Sequence, residues 1–218
     1  MSNISLIKKI GSYIYPLLLE ERTDYFGKVH RIDIYRNQFM LSTPSAIYSY
    51  GTSYYPFSIP LKHIKNDIPN IKSFLMLGTG LGSGLHIMQQ RYNSFPKTTL
   101  VDLNQTLLDL SQQYMNLNTH LNVEWICAEA SHFVDNCHEK YNLIGLDIFT
   151  DMTVPLFAKS EQFLLKLHGL LEENGILIFN VLFSSTNEMK IVEERLEGIF
   201  NEVKPLKHDR NHFYVCRR

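Results

Sequence analysis

The chain has 218 residues and a formal net charge of −1, with 44% hydrophobic and 20% charged residues. That length suits one sizeable domain with a small appendage. The near-neutral balance excludes a basic footprint for nucleic acid or an acidic membrane, and no apolar run is long enough to span a bilayer. The three cysteines, Cys127, Cys137 and Cys216, are odd in number and lack metal-ligand spacing. They read as small buried side chains, with Cys127 and Cys216 in apolar strand contexts, and as the mark of a reducing, cytoplasmic compartment. The nine histidines show no paired spacing that would hold a metal.

Residues 1–72 are rich in Tyr, Ser and Pro and poor in helical periodicity. Lys8-Lys9 and the apolar run Ile10–Leu19 loosely mimic a signal peptide. Pro16 interrupts the run, and Glu20-Glu21-Arg22 stands where a small-residue cleavage site belongs. The expectation is an amphipathic segment packed on the domain. Lys28–Tyr35 and Gln38–Ser42 read as two strands of a hairpin turning at Arg36-Asn37. Tyr48-Ser-Tyr-Gly-Thr-Ser-Tyr-Tyr55 reads either as a lid over a substrate or as a loop packed on a sheet edge. Pro56 and Pro60 bracket a short helix toward Lys65. The N-terminal element, residues 1–72, is too small for a core of its own.

From Ser73 strands and helices alternate. Phe74–Leu77 is a buried strand, followed by glycines at every second position, Gly78, Gly80, Gly82 and Gly84. Such glycines allow positive φ and a close approach of backbone to ligand. A helix runs from Gly82 to about Tyr92, and Thr98–Asp102 forms the next strand. Asp102 follows the glycine turn by about 20 residues, the spacing at which a strand-end carboxylate reaches two ribose hydroxyls. Asn104 caps a helix to about Asn116. Val123–Ala128, Leu143–Ile148 and Ile176–Leu182 are further strands, the second a nearly continuous apolar run. Ser131–Cys137 is a short helix. Ser160 caps another to Leu171, stopped by Glu173-Asn174-Gly175. Asn187 opens the last helix, ending near Phe200. Glu202–Lys207 and His212–Cys216 are joined by too short a turn for a crossover, so they pair antiparallel, and Pro205 puts the first at the sheet edge. Residues 73–218 therefore read as an α/β, Rossmann-like domain, mostly parallel with a C-terminal antiparallel hairpin. That is the layout of class I S-adenosylmethionine (SAM) methyltransferases and their relatives.

Three further residues close the candidate site. Glu129 at the end of its strand is placed to accept from an adenine amino group, beside Ala128 and Ala130; otherwise it is a solvated loop acid. Asp147 ends Leu143-Ile-Gly-Leu-Asp147 over the crevice, either to orient or deprotonate an amine or to cap the following turn. Thr150 and Asp151 follow on a loop suited to a cationic substrate.

These residues resemble the spermidine-synthase-like group within the SAM-methyltransferase superfamily. The likeness runs over most of the chain and is strongest from Phe74 to Leu182. It rests on Tyr141–Phe149, Val154-Pro155, Gln162-Phe163, Leu170-Leu171 and Gly175–Asn180. The resemblance implies that Gly78, Thr79, Gly80 and Gly82 form the cofactor loop and that Asp102 with Leu103 holds ribose. It implies that Glu129 and Ala130 face adenine and that Asp147 is catalytic and touches the cofactor. Tyr50, Tyr55, Phe149 and Asp151 are the candidate substrate contacts. SAM or decarboxylated SAM is the implied cofactor. A small-molecule acceptor, an amine among the candidates, is the implied partner, and a homodimer is among the implied states, since the N-terminal element of aminopropyltransferases closes the site and forms dimers. Met76 is apolar, as in aminopropyltransferases. Leu81 replaces the aspartate of the G-G-G-D-G loop, and Thr150 the second aspartate of the D-[ST]-S-D motif. Ala46, Gly51-Thr52 and Phe57 stand where polyamine-binding polar and acidic residues are expected. Because SAM carries a carboxylate that an acid at position 81 would repel, Leu81 tilts the expectation toward a methyltransferase. An aminopropyltransferase using decarboxylated SAM, an NAD-dependent oxidoreductase and a non-catalytic nucleoside-binding protein stand as alternatives.

Overall fold

A computed structural model describes residues 4–115, 122–150 and 152–218. Two sheets organise the chain. The first is antiparallel, in the order β1 (Leu17–Thr23), β2 (Val29–Tyr35), β3 (Gln38–Ser42), β4 (Ile47–Tyr50). The β2–β3 turn falls at Arg36 and Asn37, whose φ values of 49° and 58° fit a two-residue hairpin that twists with its strands. The second sheet combines β5 (Ser73–Leu77), β6 (Lys97–Asp102), β7 (Val123–Cys127), β8 (Tyr141–Leu146), β9 (Leu171–Val181), β10 (Glu202–His208) and β11 (Asn211–Arg217). Its spatial order is β10-β11-β9-β8-β5-β6-β7, with β11 antiparallel to both neighbours and the remaining pairs parallel. Pro205 lies on the edge strand β10, where a missing N–H costs no ladder bond.

The helices are α1 (Leu6–Gly11), α2 (Tyr55–His63), α3 (Ser83–Tyr92), α4 (Gln105–Tyr114), α5 (Ala130–Asn136), α6 (Glu161–Leu170) and α7 (Thr186–Ile199). Successive residues of β5 serve opposite faces, as the pleat demands. Leu75 and Leu77 pack with Val134, Phe163, Leu167 and Leu196 of α5, α6 and α7. Phe74 and Met76 pack with Phe57 and Leu61 of α2 and with Leu85 and Met88 of α3. Residues from Tyr54 to Ile71 thus belong to the core of the large sheet. The small sheet instead buries Ile32 and Leu41 against Leu81, Leu107, Leu110 and Tyr114, so its core is shared with α4 and the glycine loop.

Several expectations change. The Ile10–Leu19 segment is no packed amphipathic unit: α1 buries none of its residues, Ile10 and Ile14 are exposed, and the three leucines after Pro16 open β1. The period of β1 is hidden in the sequence by a bulge between Leu18 and Glu20. Glu173-Asn174-Gly175 does not lie ahead of the strand but within it. Pairing jumps from Tyr141–Leu171 to Leu143–Ile176, and Asn174 takes φ 61° in the excursion. Cys127 is exposed, Cys137 is intermediate, and Cys216 alone is fully buried. The expected C-terminal limit of α4, Asn116, lies outside the described residues. Among the described residues no helix is long and apolar enough to cross a membrane.

Phe57 is the clamp between α2 and the sheet: it is 1% exposed and its ring lies against both Gly84 and Gly145. Phe57→Ala opens a cavity there and should cost about 3–5 kcal/mol, read as a lower urea midpoint at unchanged slope.

Candidate active site

In this strand order the chain leaves β5 for β6 and β7 on one side and returns for β8 on the other. The crevice beyond the carboxyl ends of β5 and β8 is therefore the switch point where open α/β sheets bind ligands. Gly78 leaves β5 at φ 86°, and a Cβ there would lie 2.2 Å from the carbonyl oxygen of Asp147. Gly80 takes φ 52°, and a Cβ would lie 2.7 Å from the carbonyl oxygen of Tyr48 in β4. These glycines thus admit the protein's own backbone, from β8 on one side and the small sheet on the other. Gly82 is the N-cap of α3 with the Met115 side chain against it. Ser83, the first residue of that helix, shares a buried hydrogen bond with Ser49 of β4.

Asp102 holds this loop in shape. The Thr79 N–H donates to its Oδ2 at 2.9 Å and the Asn104 N–H to its Oδ1 at 3.0 Å. Burial pushes the carboxyl up, against the pull of the backbone N–H groups of Asn104, Thr79 and Gly80. Three N–H groups leave at least one of the carboxylate's four acceptor sites open, enough to accept from a ribose hydroxyl. Thr79 itself is buried, and its contribution is the main-chain N–H. Leu103, 59% exposed, presents an apolar surface directly after Asp102. One strand over, Glu129 is an exposed N-cap of α5 with no capping bond, and Ala130 is buried behind it. An apolar face, a strand-end carboxylate and a second, uncommitted carboxylate fit an adenosine-type nucleoside.

Behind Asn104 lies a polar cluster that the sequence did not flag. Asp24 Oδ2 meets His30 Nε2 at 2.7 Å and accepts from Asn104 Nδ2 at 2.5 Å, and both residues of the pair are buried. Burial raises Asp24, but the bonds from His30, the Lys28 N–H and Asn104 outweigh it and leave its carboxyl low. The cluster ties the β1–β2 turn to the cap that also binds Asp102.

Asp147 occupies the seam. Its N–H donates to the Leu77 carbonyl at 2.8 Å. Its carboxylate accepts from Tyr54 Oη at 2.9 Å and from Asn180 Nδ2 at 2.7 Å, and Asn211 Nδ2 donates to Asn180 Oδ1 at 2.9 Å. Burial pushes Asp147 up to about 6, despite the opposing bonds from Asn180 and Tyr54. Tyr54, with its ring buried and Asp147 beside it, is held protonated, its phenol raised by burial first. Tyr54 belongs to the tyrosine-rich segment offered by the sequence as a lid or packed loop, whereas Asn180 and Asn211 carry no site expectation there. The usable signal was an asparagine closing the apolar run Ile176–Asn180 at a strand's carboxyl end.

Tyr54 and Asn180 also line a cavity of about 240 Å³ on the far side of Asp147 from Asp102. Tyr50, Tyr55 and Phe149 line it too, together with Tyr48 and Met152. The Tyr48–Tyr55 segment is a packed wall: Gln38 Oε1 accepts from the Thr52 N–H at 2.6 Å, and the Arg91 guanidinium donates to the Thr52 carbonyl at 2.6 Å. Asp151 lies outside the described residues. Leu81 is 5% exposed and packs with Ile32, Leu107 and Leu110, and Met76 is 2% exposed in the α2–α3 core. Neither side chain is free to discriminate one sulfonium nucleoside from another. The electrostatic argument for SAM drawn from Leu81 therefore loses its geometric basis. No group of three metal-ligating side chains occurs among the described residues.

A mostly parallel sheet closed by an antiparallel hairpin, with a glycine loop and strand-end acids at its switch point, defines the class I SAM-methyltransferase-like fold. A crystal structure of a "probable spermidine synthase" from Corynebacterium glutamicum superposes with a TM-score of 0.73 at 16% identity, covering 92% of this chain and 79% of that one. The sequence profile of the "Spermine/spermidine synthase domain" matches residues 60–216, and the chain belongs to that family. A "Probable polyamine aminopropyl transferase" of Bifidobacterium longum is 26% identical over 151 residues, 64% of this chain but only 31% of the relative. A "Polyamine aminopropyltransferase" of Thermococcus onnurineus is 23% identical over 206 residues, 89% of this chain and 71% of the relative.

Hydrogen bonds to a charged acceptor are worth about 1.5–3 kcal/mol each. Asp102→Asn should therefore weaken binding of 5′-methylthioadenosine by roughly 10–150-fold in calorimetry. Unchanged affinity would remove Asp102 from the ribose.

Proposed function

We propose that the chain is an aminopropyltransferase of the spermidine-synthase type, moving an aminopropyl group from decarboxylated SAM to an amine. The observation that carries this reading is Asp147. It is a carboxylate pushed up to about 6, braced by Tyr54 and Asn180, which also line the neighbouring cavity. Family membership and the two aminopropyltransferase relatives support the same reading over methylation.

Decarboxylated SAM, when bound, supplies an aminopropyl carbon activated by its sulfonium, which departs as a neutral thioether. Asp102, Leu103, Glu129 and the loop Gly78–Gly82 are the residues that would hold its nucleoside. The work left to the protein is to present an uncharged amine in line with that carbon, since an ammonium has no lone pair to form the new N–C bond. Asp147 takes the proton. A carboxylate near 6 is a better base than one at its usual value and is still ionised at neutral pH. Tyr54 and Asn180 each donate to one oxygen, which fixes the carboxylate plane, and Asn211 orients Asn180 in turn.

Supplied with either SAM or decarboxylated SAM and a panel of amines, the purified protein should release methylthioadenosine from the decarboxylated donor. Formation of S-adenosylhomocysteine from SAM, without methylthioadenosine from the other, would return the chain to the methyltransferases.

The same shift fixes a pH dependence of two signs. The rate should fall as pH drops through about 6, because the base becomes protonated. Stability runs the other way. The folded carboxyl binds its proton more tightly than the unfolded one, so this group's contribution is full below the ordinary carboxylate value and is lost as pH rises through about 6. Asp147→Asn should therefore abolish turnover while raising stability at pH 7.5 by on the order of 1–3 kcal/mol, read as a higher Tm with residual activity near background.

A further inference from the structure

Asn104 is used three times over. Its Oδ1 accepts from the Thr106 N–H at 3.0 Å and caps α4. Its own N–H donates to Asp102 Oδ1 at 3.0 Å, and its Nδ2 donates to Asp24 Oδ2 at 2.5 Å. Asp24 is in turn held at both oxygens. Its Oδ1 accepts from the N–H groups of Phe26 at 2.9 Å and Lys28 at 2.8 Å, and its Oδ2 also meets His30 Nε2 at 2.7 Å. The Asp24 carboxyl is held low and is ionised, so the His30 nitrogen facing it carries a proton and donates. A line of hydrogen bonds thus runs from His30 on β2, through the β1–β2 turn, to the carboxylate at the end of β6.

Attachment of the small sheet does not require this line. Ile32 and Leu41 already pack with Leu107, Leu110 and Tyr114 of α4, and apolar contact holds two layers together without burying an ion between them. Apolar contact is indifferent to direction, however, whereas a hydrogen bond fixes the angle between donor and acceptor. What the polar line adds is orientation. With its side chain tied to Asp24 and to the first turn of α4, Asn104 cannot rotate its peptide. Its N–H therefore stays in line with Asp102 Oδ1, as the Thr79 N–H does with Oδ2 on the other side. A carboxylate pinned at both oxygens presents its open acceptor site in one direction, which is what a ribose hydroxyl needs.

We propose that Asp24 and Asn104, with His30 behind them, are positioning residues for the donor nucleoside: they hold the Asp102 carboxylate in the orientation that accepts from the ribose. The inference rests on the assignment of Asp102 to the ribose under the proposed function. It concerns binding alone, with no bond made or broken, and it places a determinant of ribose recognition in the small sheet.

Calorimetry on the full chain with adenosine and with 2′,3′-dideoxyadenosine reads the ribose contact separately from the adenine contact. The unmodified protein should prefer adenosine by about 10-fold or more. Asn104→Ser keeps a capping oxygen and the backbone N–H and removes the donor to Asp24. It should lower that preference about 5-fold by weakening adenosine alone. Asp24→Asn sets one amide against another and should act at least as strongly. The double variant Asp24→Asn/Asn104→Asp exchanges donor and acceptor, and the preference should return to within about 2-fold of the unmodified value. A cluster that serves only the fold would weaken both nucleosides alike. Equal losses for the two nucleosides, an unchanged preference in both single variants, or no recovery in the double variant therefore overturns the inference and leaves Asp102 on the ribose. Equal binding of the two nucleosides by the unmodified protein, or no binding of adenosine, overturns the inference and the ribose assignment together.

Discussion

The missing side chains at Gly78 and Gly80 set the geometry on which the site depends. With a Cβ at either position, backbone atoms of Asp147 or Tyr48 would overlap it at 2.2 or 2.7 Å, closer than a nonbonded carbon approaches. Three segments remote in sequence therefore meet at one turn: the end of β5, the end of β8 and the small sheet's β4. The positive φ at both glycines aims the loop N–H groups at Asp102, which locks the turn in place. Because Asp147 is one of the meeting partners, the same contact positions the proposed base.

The polar network around that contact is graded in charge. Asp102 accepts from backbone N–H groups and Asp147 from the neutral Tyr54 and Asn180, so burial dominates in both and raises both carboxyls. The charge of Asp102 adds to raising Asp147. A cation beside Asp147 would have stabilised it and dulled it as a base. None of the groups that act on its carboxyl is a cation: Lys28 Nζ donates to Tyr48 Oη, and Arg36 stands 5.3 Å from the Tyr35 ring.

Much of this was legible in the sequence, for reasons that lie in local physics. The β5–α3–β6 cassette announces itself because a strand buried on both faces reads as continuous apolar residues and a tight turn demands glycine. The antiparallel hairpin Glu202–Arg217 is fixed by a connection too short to cross over, and the Arg36-Asn37 turn by its place between two strand-like runs. β1 escaped because its bulge breaks the period-two signal, and β4 because four residues rich in tyrosine and serine carry no pattern. Leu81 differs from its expected role on another ground: it sits in a glycine-rich turn, but its side chain packs into the core shared with the small sheet. Contacts such as Tyr54–Asp147, separated by 93 positions, exist only once both sheets are assembled. No window on the sequence contains both partners.

The cavity wall is drawn largely from residues 45–56, while the strand-end groups suited to a nucleoside lie on β6 and β7 and the loop after β5. Under the proposed reaction this is a division of labour between two separately encoded parts. The two parts are nevertheless joined, since Ser49 shares a hydrogen bond with Ser83 and Tyr54 braces Asp147. Gly80 likewise rests on the Tyr48 carbonyl, so a change in the loop reshapes both. A residue facing the cavity can therefore change alone only where its backbone and hydroxyl do not also hold this seam, as those of Tyr48, Ser49 and Tyr54 do.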